Sequence, residues 1–461
     1  MSLPAELDDQ FFEPAVPRPS ERPINILALL YRFWRNPPEI WSRAVFREPR
    51  CTFGLLGKSA ILLNDPDDIY ACFVKNGHRL VHAEFRQKVA QPLLQQGVLV
   101  AEGDDWRTGR RMVGHALSAE QTAMSAEHIR NALRDGDLLT IEDGAELRLA
   151  DFMDNLTMRL LSEVMFSGDL DDSIDDVLGM AKAYFESFGR VGPLDLFRFP
   201  SWIPRLSRVL GQKHRREFRS LVRGIVDRRL ARPSSHRPRD AFDMMIAEAR
   251  EAGAPRELIE DNVLTLMITG HETVSLALTW TIFLLSRSPA ALAQARAEID
   301  GAGLSETEPT TWSRRLPYLL ACFKEAMRLY PPGPIIAREI VEDVELDGGT
   351  LKPGNVVFLN TWILHRHAAL WQHPNAFMPE RFLPENKAAI RPHSYLPFGI
   401  GHRACLGAQY ATIEAVIVLA MLLDAYDFEY VGGRDPKPML KVTISADNGM
   451  PMRITRRSRP H

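Results

Sequence analysis

The sequence predicts a mainly α fold with small β-sheets at one side, an α+β arrangement. Three observations predict it. Apolar residues recur at intervals of three and four over long stretches between about Pro66 and Leu329, the period of helices with a buried face. Strand-like runs are short and gather in two places, each punctuated by glycine. The chain shows no internal repeat, which leaves out solenoids and propellers.

In chain order, residues 1–23 carry five prolines and read as an extended lead-in, leaving 24–461 as a single domain. "TFGLLGKSAILLN" (Thr52–Asn64) reads as strand, with two glycines among its apolar residues. Helices are predicted over Ala119–Leu133, Leu147–Phe166, Ser220–Leu230 and Leu258–Ser286. "RRLARPSSHRPRD" (Arg228–Asp240) is basic and holds two prolines. With no aromatics interleaved for nucleic acid, it reads as a solvated interhelical loop. "VELDGGTLKPGNVVFLN" (Val344–Asn360) reads as strands turning at Gly348-Gly349 and Pro353-Gly354.

Composition is that of an ordinary globular protein, with 45% hydrophobic and 25% charged residues. A chain of 461 residues can bury a large core and a cofactor inside it. A net charge of -3 gives nucleic-acid binding no support. Cys51, Cys72, Cys322 and Cys405 show no CxxC spacing, and the first twenty residues are acidic and proline-rich rather than leader-like. A reducing compartment, the cytoplasm, is the expectation. Val263–Leu285 is long enough to span a bilayer, but "TGHET" with Glu272 lies near its centre. A buried core helix, with no transmembrane segment, is expected instead.

Cys405 stands apart from the other cysteines. It lies in Phe398-Gly399-Ile400-Gly401-His402-Arg403-Ala404-Cys405-Leu406-Gly407, just before a long apolar helical stretch. Glycines there permit tight turns and close backbone approach to a flat ligand. Free amides at a helix start favour a thiolate. One cysteine is too few for structural zinc, which takes four ligands. A metal that brings its own equatorial ligands needs one, and haem, with two carboxylates for arginine to bind, is that case.

Phe398, Gly401, Arg403, Cys405 and Gly407 match FxxGxRxCxG, so the chain resembles the cytochrome P-450 superfamily of haem-thiolate monooxygenases, in its soluble bacterial type. The resemblance implies haem b (iron protoporphyrin IX) buried between a long central helix and the helix following the cysteine loop, with Cys405 as the iron ligand. Glu325 and Arg328 match ExxR, and Arg381 lies in the PERF element Pro379–Phe382. In the family these three form a buried structural triad. Trp106 and Arg110 match WxxxR and fall on one helical face. With Arg403, they are implied to hold the haem propionates, and Arg338 and His82 are further candidates. Phe398, Gly399 and Gly407 complete the loop against the cofactor.

Thr269-Gly270-His271-Glu272-Thr273 resembles the distal motif, which implies room for dioxygen at Gly270 and a proton relay through Glu272 and Thr273. Thr269 departs from the usual small residue. Its hydroxyl either holds water or a polar substrate group, or bonds back to a helix carbonyl. Val98, Leu99, Thr269, Gly270, Ile335 and Ile336 are implied pocket residues, with Tyr184–Pro204 as part of a lid. Their apolar character points to a hydrophobic small-molecule substrate. Only 56 residues follow Cys405, so electrons are expected from a separate ferredoxin or flavodoxin with its reductase, docking near Arg110, Arg111 and His402 on a monomer. A peroxygenase or isomerase, or a haem sensor, is the alternative. Neither has a use for a distal acid–alcohol pair.

Overall fold

The chain is seen in a computed structural model that describes residues 11–17, 19–21, 26–55, 58–188, 206–232 and 239–458. Its axis is the helix Arg256–Ser286, entered through Pro255 and buried at nearly every position. A helix apolar all round has no surface to give to water, so it becomes core. It packs along Leu149–Phe166, Pro317–Leu329 and Ala408–Ala425. Ala408–Ala425 has the length and hydropathy to cross a bilayer. In the fold it lies against Ala119–Asp135 and the central helix, with Glu414 buried on it.

Helices begin and end where the side chains require. Leu149–Phe166 starts two residues later than the periodicity predicts, because Leu147 pairs with Met452 in the sheet Ala145–Arg148, Pro451–Arg456, Tyr426–Tyr430. Leu206–Ala231 carries Arg229 into the core, where it pairs with Asp169, Asp240 and Asp243 at 2.6–2.8 Å. The basic stretch is therefore not all solvated: its second arginine closes a buried ion cluster, since a buried guanidinium needs carboxylates around it.

The five-stranded sheet runs Arg50–Leu55, Lys58–Leu63, Val356–Asn360, Ile335–Ile340, Leu80–His82. The second and third strands pair in parallel and the others antiparallel. Its last register sets His82 opposite Arg338. The predicted turns occur, with Gly348 at φ 78° and Gly354 at φ 83°. The lead-in is docked where it is described, since Phe12 meets Phe283 edge to face and its carbonyl accepts from the Phe377 amide. The expected lid lies outside the described residues beyond Phe188.

Candidate active site

The cysteine loop is built by backbone constraints. The Cys405 amide donates to the Phe398 carbonyl at 2.9 Å, closing the loop. Gly399 and Gly401 sit at φ 74° and 78°, where a side chain is strained. A Cβ on Gly401 would clash with the Phe73 carbonyl oxygen. Gly407 caps Ala408–Ala425, and Phe398 packs on the main core. Cys405 is thus held deep among neighbours, yet it keeps exposed surface and so faces open space. Burial pushes its thiol up, opposed by the Gly407 amide and Arg110. The helix start and Arg110 thus act against burial at the sulfur, and a metal cation bound there would favour the thiolate further.

Around this loop the fold collects cations. Arg403 donates to His82 Nε2 at 3.0 Å and to the Ala101 carbonyl at 2.8 Å, and it pairs with Glu102. Arg338 reaches His82 Nδ1 at 3.0 Å. Arg110 turns inward to the Ala404 carbonyl at 3.1 Å. The Arg403 guanidinium lies 4.5 Å from the Trp106 ring centre, and Trp106 meets His402 edge to face. Burial lowers the pKa of Arg403, Arg110 and His402, and repulsion from neighbouring cations adds to it at Arg403 and His402. Arg403 Nε is buried without a partner. Three guanidinium groups, one histidine and an orphaned donor beside an open-facing thiol suit a flat ligand with two carboxylates and a metal. Haem fits that donor set.

Of the residues expected at a docking face, Arg110 points inward, while Arg111 is exposed and shares Glu248 with His115. His402 is exposed as well.

Behind the loop, Glu325 and Arg328 are fully buried and joined by two 2.7 Å hydrogen bonds. Arg328 also donates to the carbonyls of His365, Pro374 and Ala376. Arg381 reaches Glu325 at 3.3 Å, and the Met378 amide donates to the same oxygen. The three residues are therefore one cluster that ties Pro317–Leu329 to the segment leading to the cysteine loop.

On the central helix, the Thr273 hydroxyl donates to the Thr269 carbonyl at 2.9 Å. That of Thr269 donates to Thr265 at 2.8 Å, the back-bonded alternative. The helix runs through Gly270 without a break. A Cβ on Gly270 would meet the Leu161 side chain at 3.0 Å, so the absence of a side chain there also lets Leu149–Phe166 pack closely. His271 is buried, its Nδ1 2.6 Å from the Met267 carbonyl oxygen, and burial lowers its pKa to about 4. Glu272 accepts from Thr443 at 2.7 Å, and burial raises its carboxyl to about 7.

The remaining pocket residues divide. The Val98 amide is held by Asn262, and Leu99 is 42% exposed. Ile336 abuts Gly399 of the cysteine loop, while Ile335 packs on the main core. Sequence reasoning missed Glu102 and Thr443. Neither belongs to a motif, and each meets its partner only through the fold.

The profile of the family described as Cytochrome P450 matches residues 16–450. Protein LUTEIN DEFICIENT 5, chloroplastic, of Arabidopsis thaliana is 25% identical over 437 residues, covering 89% of this chain and 72% of its own. Cyclooctatin synthase of Streptomyces melanosporofaciens is 28% identical over 371 residues, covering 77% and 78%. The P450DA heme domain superposes with a TM-score of 0.78 at 23% identity, covering 97% of this chain and 99% of that one. CYP175A1 from Thermus thermophillus gives a TM-score of 0.69 at 25% identity, covering 88% and 92%. With the family match spanning nearly the whole of a fold that superposes on these structures, the chain belongs to the cytochrome P450 family and is an oxidoreductase of the monooxygenase class.

Proposed function

We propose that this monooxygenase inserts one oxygen atom of dioxygen into a hydrophobic small organic substrate. Its electrons come from a separate ferredoxin or flavodoxin with its reductase, and its cofactor is haem b. The observation that carries this function is the convergence of an open-facing Cys405 thiol with Trp106, Arg110, Arg338, Arg403 and His82. Haem bound there supplies the activation of dioxygen and the oxidation of a C–H bond.

The chain's own residues do the rest. Cys405 gives its sulfur as the sole protein ligand, and the Gly407 amide and Arg110 favour its charged form. The three arginines, with His82 and Trp106, hold the two carboxylates. Glu325, Arg328 and Arg381 keep the segment that delivers the loop in place and touch no reacting atom. Glu272, with a pKa near neutrality, can both take up and release a proton at physiological pH. Thr273 passes that proton on once its hydroxyl rotates from the Thr269 carbonyl toward the pocket. Val98, Leu99 and Ile336 offer apolar surface and no charge, which favours an apolar substrate.

Turnover with reductant and surrogate redox partners, compared with peroxide alone, tests this function. Reductant-dependent product is expected. Product with peroxide alone and none with reductant would instead make the protein a peroxygenase. A substrate screen that follows the haem spectrum narrows the substrate class.

A further inference from the structure

A second deeply placed acid stands beside the central helix near Glu272, contributed by a neighbouring helix. Glu272 and Ser275 are three residues apart and so share a face of the helix Arg256–Ser286. The Ser275 hydroxyl donates to the Asp154 carboxylate, which projects from Leu149–Phe166. That helix packs closely along the central helix, and Thr157, one turn from Asp154, donates to the His271 carbonyl at 3.2 Å. Both carboxyls lie deep, yet each keeps some accessible surface, so each meets space that water can enter.

We propose that Asp154 is the outer member of a two-carboxyl proton path whose inner member is Glu272, with Ser275 holding Asp154 on Glu272's face of the central helix. This rests on the relay role given to Glu272 above and extends it outward, from the central helix to Leu149–Phe166.

The surroundings give the path a direction. Asp151, one turn from Asp154, is exposed, and Lys182 of Ile174–Phe188 is exposed and acts on Asp154. The outer acid therefore stands nearer solvent. Glu272 is faced by Thr443, by Lys441 of the same loop and by the charge of Asp154. Burial, modulated by these neighbours, raises Asp154 to about 6 and Glu272 to about 7. Both acids are therefore able to take up and release a proton near neutral pH. His271 takes no part, because its ring is turned to the Met267 carbonyl and is neutral.

The test uses the haem-loaded enzyme and two readouts. The first is the titration midpoint of Glu272, followed through its protonated-carboxyl infrared band, which Glu272→Gln assigns by removing it. Asp154→Asn removes a neighbouring negative charge, so the Glu272 midpoint should fall. The second is oxidised product formed per reductant consumed, with its solvent isotope effect. Asp154→Asn should lower coupling, slow the proton-dependent step about tenfold and raise the isotope effect. Losing a positioned donor outright costs about 10²–10⁴, and water can still reach Glu272. Ser275→Ala should do the same to a smaller degree, and it serves if Asp154→Asn folds poorly. An unmoved Glu272 midpoint overturns the pairing. A moved midpoint with unchanged coupling overturns the path. If Glu272→Gln itself keeps full coupling, the relay role of Glu272 fails, and the infrared shift still reports separately whether the two acids interact.

Discussion

Arg328→Ala should abolish folded, haem-loaded protein, and the structure sets the scale of the effect. Its guanidinium is fully buried and makes five hydrogen bonds, two to Glu325 and three to the carbonyls of His365, Pro374 and Ala376. Breaking a buried pair costs about 3–5 kcal/mol. Each buried carbonyl left without a donor costs about 1–3 kcal/mol more. The lower ends alone come to about 6 kcal/mol, against a total stability of about 5–15 kcal/mol for a folded protein. Arg328→Lys keeps the charge but cannot serve a bidentate carboxylate and three carbonyls at once, so it should be only partly better. Arg381→Ala removes one 3.3 Å contact to Glu325 and a hydrogen bond to His373, and it should be the mildest of the three. Urea unfolding followed by circular dichroism, together with haem content, gives the order. Arg328→Ala with a wild-type midpoint, or a larger loss in Arg381→Ala, would refute the reasoning.

Other outcomes follow from the same structure. Thr273→Ala should keep haem and substrate binding but divert reductant to hydrogen peroxide, and wild-type coupling would remove its hydroxyl from the relay. Arg403→Met leaves Glu102 without its cation, so haem should pass to an acceptor protein several-fold faster, and an unchanged rate contradicts the carboxylate-binding role. Burial raises Glu414 from 4.5 to about 8, so the folded state binds its proton more tightly than the unfolded state does. That contribution is complete at low pH and is lost as pH rises from about 4 through about 8. Glu414→Gln should flatten the decline of the denaturation midpoint over that range, and an unchanged slope would show that Glu414 is ionised in the fold.

Much of this was legible before the fold. Ala119–Asp135 and Arg256–Ser286 announce themselves through apolar periodicity, because each buries a continuous face or its whole circumference. The cysteine loop is legible because its glycines are required by local backbone geometry. What stayed hidden depends on contacts between distant residues. The strands after Ala425 are three to six residues long, and one of them pairs with Ala145–Arg148, about 300 positions away. Glu102 meets Arg403 across 301 positions, and Thr443 meets Glu272 across 171. Gly270 was visible in a motif, whereas the Leu161 side chain that packs against it from another helix was not. Arg229 looked like part of a charged loop, and three distant or neighbouring aspartates turn it into core.

The most direct test of the central claim is the reduced carbon monoxide spectrum of four single variants, Cys51→Ser, Cys72→Ser, Cys322→Ser and Cys405→Ser. Burial raises all four thiols, but Cys72 and Cys322 are buried and Cys51 is partly so, while Cys405 alone is exposed and has the Gly407 amide and Arg110 to oppose that rise. The red-shifted band of thiolate-ligated haem should persist in the first three variants and vanish in Cys405→Ser. A thiolate band that survives in Cys405→Ser, or is lost in any of the others, would contradict the account.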